Sequence, residues 1–173
     1  RQRQMCIRDR LWDFEARPIS EDDKDNLKSY ERISKRGFKG SLYKTDEFIN
    51  QHPFGTVPAG FVGDEHLGVF ESNSILRAVA RECKDKTLYG GEDINLKSRI
   101  DSYLDANLVF SREFQVYLLE LEDITKYTYE RTKSAYQFYM DGLENSLSKN
   151  NFLAGDSLSI ADISFVCEFA QFL

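Results

Sequence analysis

Few residues of this chain stand in patterns that could perform chemistry. The sequence lacks the dinucleotide-binding G-x-G-x-x-G, the P-loop, the zinc-binding H-E-x-x-H and the nucleophile elbow G-x-S-x-G. Its two histidines, His52 and His66, fall in predicted loops and could not bind a metal without carboxylate ligands. We therefore predict no metal site and expect both histidines to be solvated on the surface. Binding chemistry has to be sought at backbone groups and at helix ends.

A proline begins a predicted hairpin in the segment FGTVP, residues 54–58. X-Pro bonds in tight turns are where cis peptide bonds occur, and a cis bond between Val57 and Pro58 would turn the Val57 N–H and C=O outward toward an extended peptide. A trans proline that merely starts an edge strand is the commoner arrangement. The residues alone therefore favour the trans geometry.

A second feature is the strand-to-helix junction Glu71-Ser72-Asn73. A helix N-terminus presents unpaired N–H groups and a partial positive charge, so the Ser72 hydroxyl and its neighbouring amides can hold a carboxylate. Glu71 can bind an ammonium group close by, and together the two residues suit the α-amino-acid end of a ligand. The simpler interpretation, which the residues alone favour, is that Ser72 is only the N-cap of its helix.

The elements that position these residues follow from hydrophobic spacing and turn residues. Alternating apolar residues predict a strand, while apolar residues every three or four positions predict helices. The predicted order is a strand over 11–19, a helix over 20–37, a brief helix over 46–49, a hairpin of 57–62 and 67–70, and a helix over 72–84.

Gly90-Gly91 lies in a polar stretch, residues 84–92, and is the best candidate for a domain boundary. Everything beyond it is predicted to be helical. Apolar stripes mark one long helix around residues 96–108 and another around 129–147, and residues 160–170 are apolar nearly all round, which predicts a buried central helix. Ser159 and Asp162 form a capping box at its start, which we interpret as a folding device and not as a site.

Composition excludes several classes of protein. The 173-residue chain carries 23 Lys and Arg against 29 Asp and Glu, a net charge of −6, which argues against nucleic acid as the main ligand. No apolar run approaches the roughly 18 residues that cross a bilayer, so no membrane association is predicted. The cysteines Cys6, Cys83 and Cys167 are far apart and are expected to be reduced thiols of a cytoplasmic protein.

Both ends of the chain are unusual. Residues 1–10, RQRQMCIRDR, have neither helical nor strand periodicity and resemble translated adapter sequence, so we predict a non-native lead-in. Residues 165–173 are strongly apolar and stop without a helix-ending residue. We expect the chain to be a fragment of a longer protein.

Three motifs in this order, EFINQHPFGTVPAGF, VFESNSILRAVAR and NFLAGDSLSIADISFV, resemble the cytosolic glutathione S-transferase superfamily. The resemblance covers residues 13–173. It implies an incomplete α/β thioredoxin-like half over 11–84 that binds glutathione, followed by an all-α helical bundle over 92–173. It also implies a cis bond at Val57-Pro58, pairing of Val57 with the cysteinyl backbone of glutathione, and binding of the γ-glutamyl end by Glu71 and Ser72.

The implied activity is that of a glutathione transferase. Binding lowers the pKa of the glutathione thiol, and the thiolate attacks a small, partly apolar electrophile. Thr56 stands where members often carry a lysine that contacts the glycine carboxylate. The family's first strand and first helix, which carry the catalytic Tyr, Ser or Cys, have no counterpart here, so no catalytic residue is assigned. The full-length protein is expected to be a cytoplasmic homodimer.

Two other functions share these motifs. NFLAGDSLSIADISFVCEF resembles the transferase-like domain of translation elongation factor 1 gamma as much as it resembles the enzymes, and such a domain serves protein assembly without catalysis. A dehalogenase or an isomerase that uses glutathione is a third possibility. An upstream catalytic Tyr, Ser or Cys favours an enzyme, and a second domain downstream favours the elongation factor.

Overall fold

The structure, a computed structural model, describes residues 32–33, 41–42, 46–119 and 123–170. The predicted strand over 11–19 and the predicted lead-in lie outside the described residues, as does most of the helix predicted over 20–37. The chain divides into two compact units, the first ending at Ala78 and the second beginning at Val79.

The first described elements of the first unit are a short strand pair. β1 (Arg32–Ile33) pairs antiparallel with β2 (Ser41–Leu42), and Arg32 lies opposite Leu42. The prediction that the helix continues to Gly37 is therefore wrong at Arg32–Ile33, which form a strand. The β-branched Ile33 suits an extended backbone, and pairing with β2 satisfies backbone groups that a helix would otherwise have paired.

A helix and a hairpin follow, as predicted. Helix α1 (Asp46–Gln51) ends before Pro53, because the residue preceding a proline avoids the helical conformation. Strands β3 (Ala59–Val62) and β4 (Leu67–Phe70) pair antiparallel, with Ala59 opposite Phe70. Gly63, at a φ of 72°, begins the turn between them.

Helix α1 packs closely against β4. Phe48 of α1 is buried, and its ring meets the ring of Phe61 on β3 at 6.2 Å. The N–H of Gly68 donates to the Gln51 side-chain oxygen at 3.3 Å. A methyl group on Gly68 would lie 1.9 Å from the backbone oxygen of Gln51, so only glycine permits this approach.

Helix α2 (Ser72–Glu82) follows β4, and the division between the two units falls within it. The second unit continues through a 3₁₀ turn (Lys86–Tyr89), which ends at Gly90 in the left-handed conformation at a φ of 75°. Asp85 caps this turn by accepting a hydrogen bond from the Thr87 N–H at 2.9 Å.

The second unit also contains the predicted helices α3 (Ile94–Leu119), α4 (Lys126–Leu147) and α5 (Ile160–Phe169). Helix α3 packs against both of the others. One buried cluster in the core of the second unit consists of Phe110, Phe114, Leu153 and Phe165. None of the helices among the described residues is long and apolar enough to cross a membrane. Cys83 and Cys167 are free thiols, as predicted.

Helix α5 is buried along one side only. Ile160, Ala161 and Phe165 are buried, whereas Val166 is 66% exposed and Cys167 is exposed. The prediction of a helix buried all round is therefore wrong for the described residues. An apolar composition shows what a helix is able to bury, whereas the packing on α3 covers one face.

The start of α5 is held as predicted by its capping box. The Asp162 carboxylate accepts from the Ser159 N–H at 2.9 Å and from the Ser159 hydroxyl at 2.8 Å. The other oxygen of the same carboxylate accepts from the Leu153 N–H at 2.8 Å. Asp162 thus ties the loop before α5 to the first turn of that helix.

Acid should weaken the pairing of α3 with α4. Arg131 on α4 donates to both carboxylate oxygens of Glu113 on α3, at 2.7 and 2.5 Å. These hydrogen bonds hold the pKa of the Glu113 carboxyl below its ordinary value. Because the pKa is lowered on folding, the stabilisation is present above the ordinary glutamate pKa and is lost as the pH falls through the lower value of the folded state.

We expect Arg131→Ala to lower the urea midpoint at pH 7, and we expect the difference from the wild type to shrink as the pH falls below about 4. Lys133→Ala, which removes an exposed cation two residues further along α4, is the control. A difference between wild type and Arg131→Ala that stays constant from pH 7 to pH 3 would contradict this assignment.

Candidate functional site

The predicted binding residues lie at the open end of the β3–β4 hairpin. Strand β3 begins directly after Val57-Pro58, and β4 ends directly before Glu71-Ser72. In the antiparallel register Ala59 faces Phe70, so the two segments leave the sheet at the same end. The structure therefore places all four predicted residues in one region of the first unit.

Val57 presents its backbone at this end. The peptide bond between Val57 and Pro58 is cis, as the family resemblance implies and contrary to what the residues alone favour. The Val57 side chain is 78% exposed. Among the residues that the structure describes, none forms a hydrogen bond with the Val57 backbone. No described residue therefore competes for its N–H and C=O.

The start of α2 does not fit the simpler interpretation, in which Ser72 is only the N-cap of the helix. The Glu71 C=O accepts from the N–H groups of Ser74 and Ile75, each at 3.0 Å. Glu71 is thus the N-cap, because its carbonyl accepts the first intrahelical hydrogen bonds, and Ser72 is the first helical residue. The interpretation of Ser72 as the N-cap is wrong, and its exposed hydroxyl is not needed for that purpose.

Glu71 adopts a φ of 66°, in the left-handed region. Residues other than glycine rarely do so, and the cost is on the order of 1–3 kcal/mol. Such a conformation persists where the surrounding structure determines it, and it is commonest at functional sites. Here it lets the chain turn from the end of β4 directly into α2 and leaves the Glu71 side chain exposed.

The structure corrects the expectation that both histidines are solvated. His52 is only 1% exposed, and its Nε2 accepts a hydrogen bond from the Thr56 N–H at 3.2 Å. The chain leaves α1 at Gln51, and the His52 ring packs between the rings of Phe48 and Phe70. The sequence contains one local indication of this packing, because Phe48 and His52 are four residues apart and such residues share one face of a helix. His66, in the hairpin turn, is half-buried.

The four residues place three kinds of polar group at this end of the hairpin. These are one backbone position, one carboxylate and one hydroxyl beside a helix N-terminus. Within residues 46–119 and 123–170, no group of three His, Cys, Asp or Glu residues is placed to hold a metal ion.

Comparison with known proteins assigns a domain family to the C-terminal part of the chain. Residues 111–173 match the family described as glutathione S-transferase, C-terminal domain. Elongation factor 1-gamma 1 of Oryza sativa is 32% identical over 145 residues, covering 78% of this chain and 32% of that protein. Elongation factor 1-gamma of Rattus norvegicus is 30% identical over 131 residues, covering 74% of this chain and 29% of that protein. The chain thus spans about a third of the length of these curated relatives.

A glutathione transferase of Streptococcus pneumoniae, solved in complex with glutathione, shares the fold. Its TM-score is 0.61 at 19% identity, over 74% of this chain and 50% of that one. The hairpin of the first unit and the helical second unit are those of a glutathione transferase fold, so the predicted fold class is confirmed. Residues 111–173 belong to the family of glutathione S-transferase C-terminal domains.

Proposed function

We propose that the open end of the β3–β4 hairpin binds glutathione. The observation that supports this most directly is the Val57 backbone, with which no described residue forms a hydrogen bond, at the same end of the hairpin as Glu71-Ser72. An extended peptide pairs with an exposed backbone position in the way that a strand adds to a sheet edge. Val57 then binds the cysteinyl backbone, and the two residues at the helix start bind the γ-glutamyl end.

The γ-glutamyl end carries one ammonium and one carboxylate group. The Glu71 carboxylate binds the ammonium group. The Ser72 hydroxyl, together with the first N–H groups of the 11-residue helix α2, binds the carboxylate, which the helix dipole also favours. The Thr56 hydroxyl lies within hydrogen-bond distance of His52, and threonine offers no cation to the glycine carboxylate of the ligand.

Ser72→Ala should weaken glutathione binding by about 1–3 kcal/mol, the cost of leaving a charged ligand group without its hydrogen bond. Isothermal titration calorimetry on the full chain measures this directly. Ser74→Ala is the matched control, because Ser74 lies two residues further along the same helix and so points in a different direction. If the Ser72→Ala and Ser74→Ala variants bind glutathione equally well, Ser72 is not part of the site.

We infer that this binding unit belongs to a protein of the elongation factor 1-gamma type and serves protein assembly in the cytoplasm. The supporting observation is the identity of 30–32% to elongation factor 1-gamma proteins over 74–78% of this chain. The alternative use of the same site is a glutathione transferase that joins glutathione to a small, partly apolar electrophile, as a homodimer.

An activity measurement separates the two functions. Thioether formation from glutathione and an activated aryl chloride is followed with and without the full-length protein, because no catalytic residue is assigned within this chain. An assembly domain leaves the uncatalysed rate unchanged while still binding glutathione in the calorimeter. An acceleration that is proportional to protein concentration and that falls in the Ser72→Ala variant would instead support the transferase.

A further inference from the structure

We propose that His52 is a positioning residue that sets the Val57 backbone for glutathione, an inference that rests on the glutathione site proposed above. His52 is 1% exposed, so its ring does not reach the ligand. Its effect on binding has to pass through the residues that it holds.

One of these residues is Thr56, which directly precedes Val57. The Thr56 N–H donates to Nε2 of His52 at 3.2 Å, and the Thr56 hydroxyl lies 3.2 Å from the same nitrogen. The Gly55 N–H donates to the His52 carbonyl at 2.8 Å. His52 therefore closes the loop between α1 and β3 with both its backbone and its ring, and the last residue held before the site is Thr56.

The other contact is with the end of β4. The His52 ring stacks on the ring of Phe70, with centroids 4.7 Å apart and planes 8° from parallel. Phe70 is the last residue of β4 and directly precedes Glu71. A single side chain thus touches the residue before Val57 and the residue before Glu71, which are the two segments that have to bind one ligand together.

The hydrogen bonding also specifies the tautomer. Because Nε2 accepts from the Thr56 N–H, the proton of the neutral ring resides on Nδ1. Nδ1 is buried, and none of the described residues forms a hydrogen bond with it. A phenylalanine would provide the same stacking without a buried polar atom that lacks a partner. The hydrogen-bond acceptor that the ring offers to Thr56 therefore explains why position 52 carries a histidine and not a phenylalanine.

The test compares His52→Phe, which keeps the stacking and removes the acceptor, with His52→Gln, which supplies an amide oxygen as an acceptor. We expect His52→Phe to weaken glutathione binding by tenfold or more in calorimetry while the chain still unfolds cooperatively, and His52→Gln to recover part of that loss. His66→Asn is the histidine control, because it lies in the turn at the opposite end of the hairpin and asparagine tolerates its φ of 55°.

Nuclear magnetic resonance supplies the readout that needs no variant. The ¹⁵N spectrum of wild-type His52 should show an unprotonated Nε2, and the Thr56 amide should exchange slowly with solvent and faster in His52→Phe. A protonated Nε2, unchanged Thr56 exchange, or wild-type glutathione affinity in His52→Phe would overturn the role of His52. Absence of glutathione binding by the wild type would instead overturn the proposed site, and the Thr56 exchange would then still decide whether His52 holds the turn.

Discussion

Asp162→Ala should lower the free energy of unfolding of the second unit by about 2–4 kcal/mol, because it leaves backbone donors without acceptors. The carboxylate accepts three hydrogen bonds, two from Ser159 and one from the Leu153 N–H. No other side chain of the described residues is seen to hold the loop before α5 to that helix in this way. Urea denaturation followed by circular dichroism measures the loss.

The loss should spread beyond the first turn of α5, because Leu153 is also held from the other side. Its carbonyl accepts from the Ser146 hydroxyl of α4 at 2.8 Å, and that hydroxyl lies 2.6 Å from the Tyr103 hydroxyl of α3. The Leu153 side chain is buried in the core of the second unit. Releasing Leu153 from Asp162 therefore loosens the point at which all three helices are connected.

Asp156→Ala is the matched control, since it removes an exposed carboxylate from the same loop and should change stability by about 0.5 kcal/mol or less. Asp162→Asn should lose most of the unfolding free energy that Asp162→Ala loses. An asparagine NH2 group would replace one of the two carboxylate oxygens, and this group cannot accept a hydrogen bond from the donor that it faces. Equal urea midpoints for Asp162→Ala and Asp156→Ala would show that the box contributes nothing.

Much of the fold could be predicted because it depends on local spacing. Apolar residues three and four apart marked α2, α3 and α4, and the glycine and aspartate of residues 63–64 marked the hairpin turn. The box of Ser159 and Asp162 was readable because its two members lie three residues apart and bond to each other. In each case the partners that define the element are close in sequence.

The sequence-based predictions are wrong where the local structure depends on residues that are distant in the sequence. The burial of His52 depends on Phe70, which comes from a strand that follows in the chain, and the exposure of Val166 depends on which elements pack against α5. Glu71 replaces Ser72 as the N-cap because the Glu71 carbonyl accepts the first hydrogen bonds of α2. The X-Pro turn and the helix start drew attention to the residues proposed to bind glutathione, and the family resemblance implied the ligand, whereas the role of His52 follows only from its packing.

Gly68→Ala should destabilise the first unit by about 3 kcal/mol and abolish detectable glutathione binding. The new Cβ would lie 1.9 Å from the Gln51 backbone oxygen and 2.6 Å from its carbonyl carbon. No flexible side chain can give way there, so α1 and β4 have to move apart. That movement breaks the hydrogen bond between Gly68 and Gln51 and separates His52 from Phe70.

Gly60→Ala is the control in the partner strand, where the added methyl would meet Ile75 at 3.5 Å, an ordinary contact. It should leave the thermal midpoint and the glutathione affinity close to those of the wild type. If Gly68→Ala unfolds cooperatively and binds glutathione as well as Gly60→Ala does, then α1 does not lie against β4 in solution. If Gly68→Ala stays folded but no longer binds glutathione, the loss of binding is due to the altered His52 contacts and not to unfolding of the hairpin. The proposed site depends on the spacing between α1 and β4.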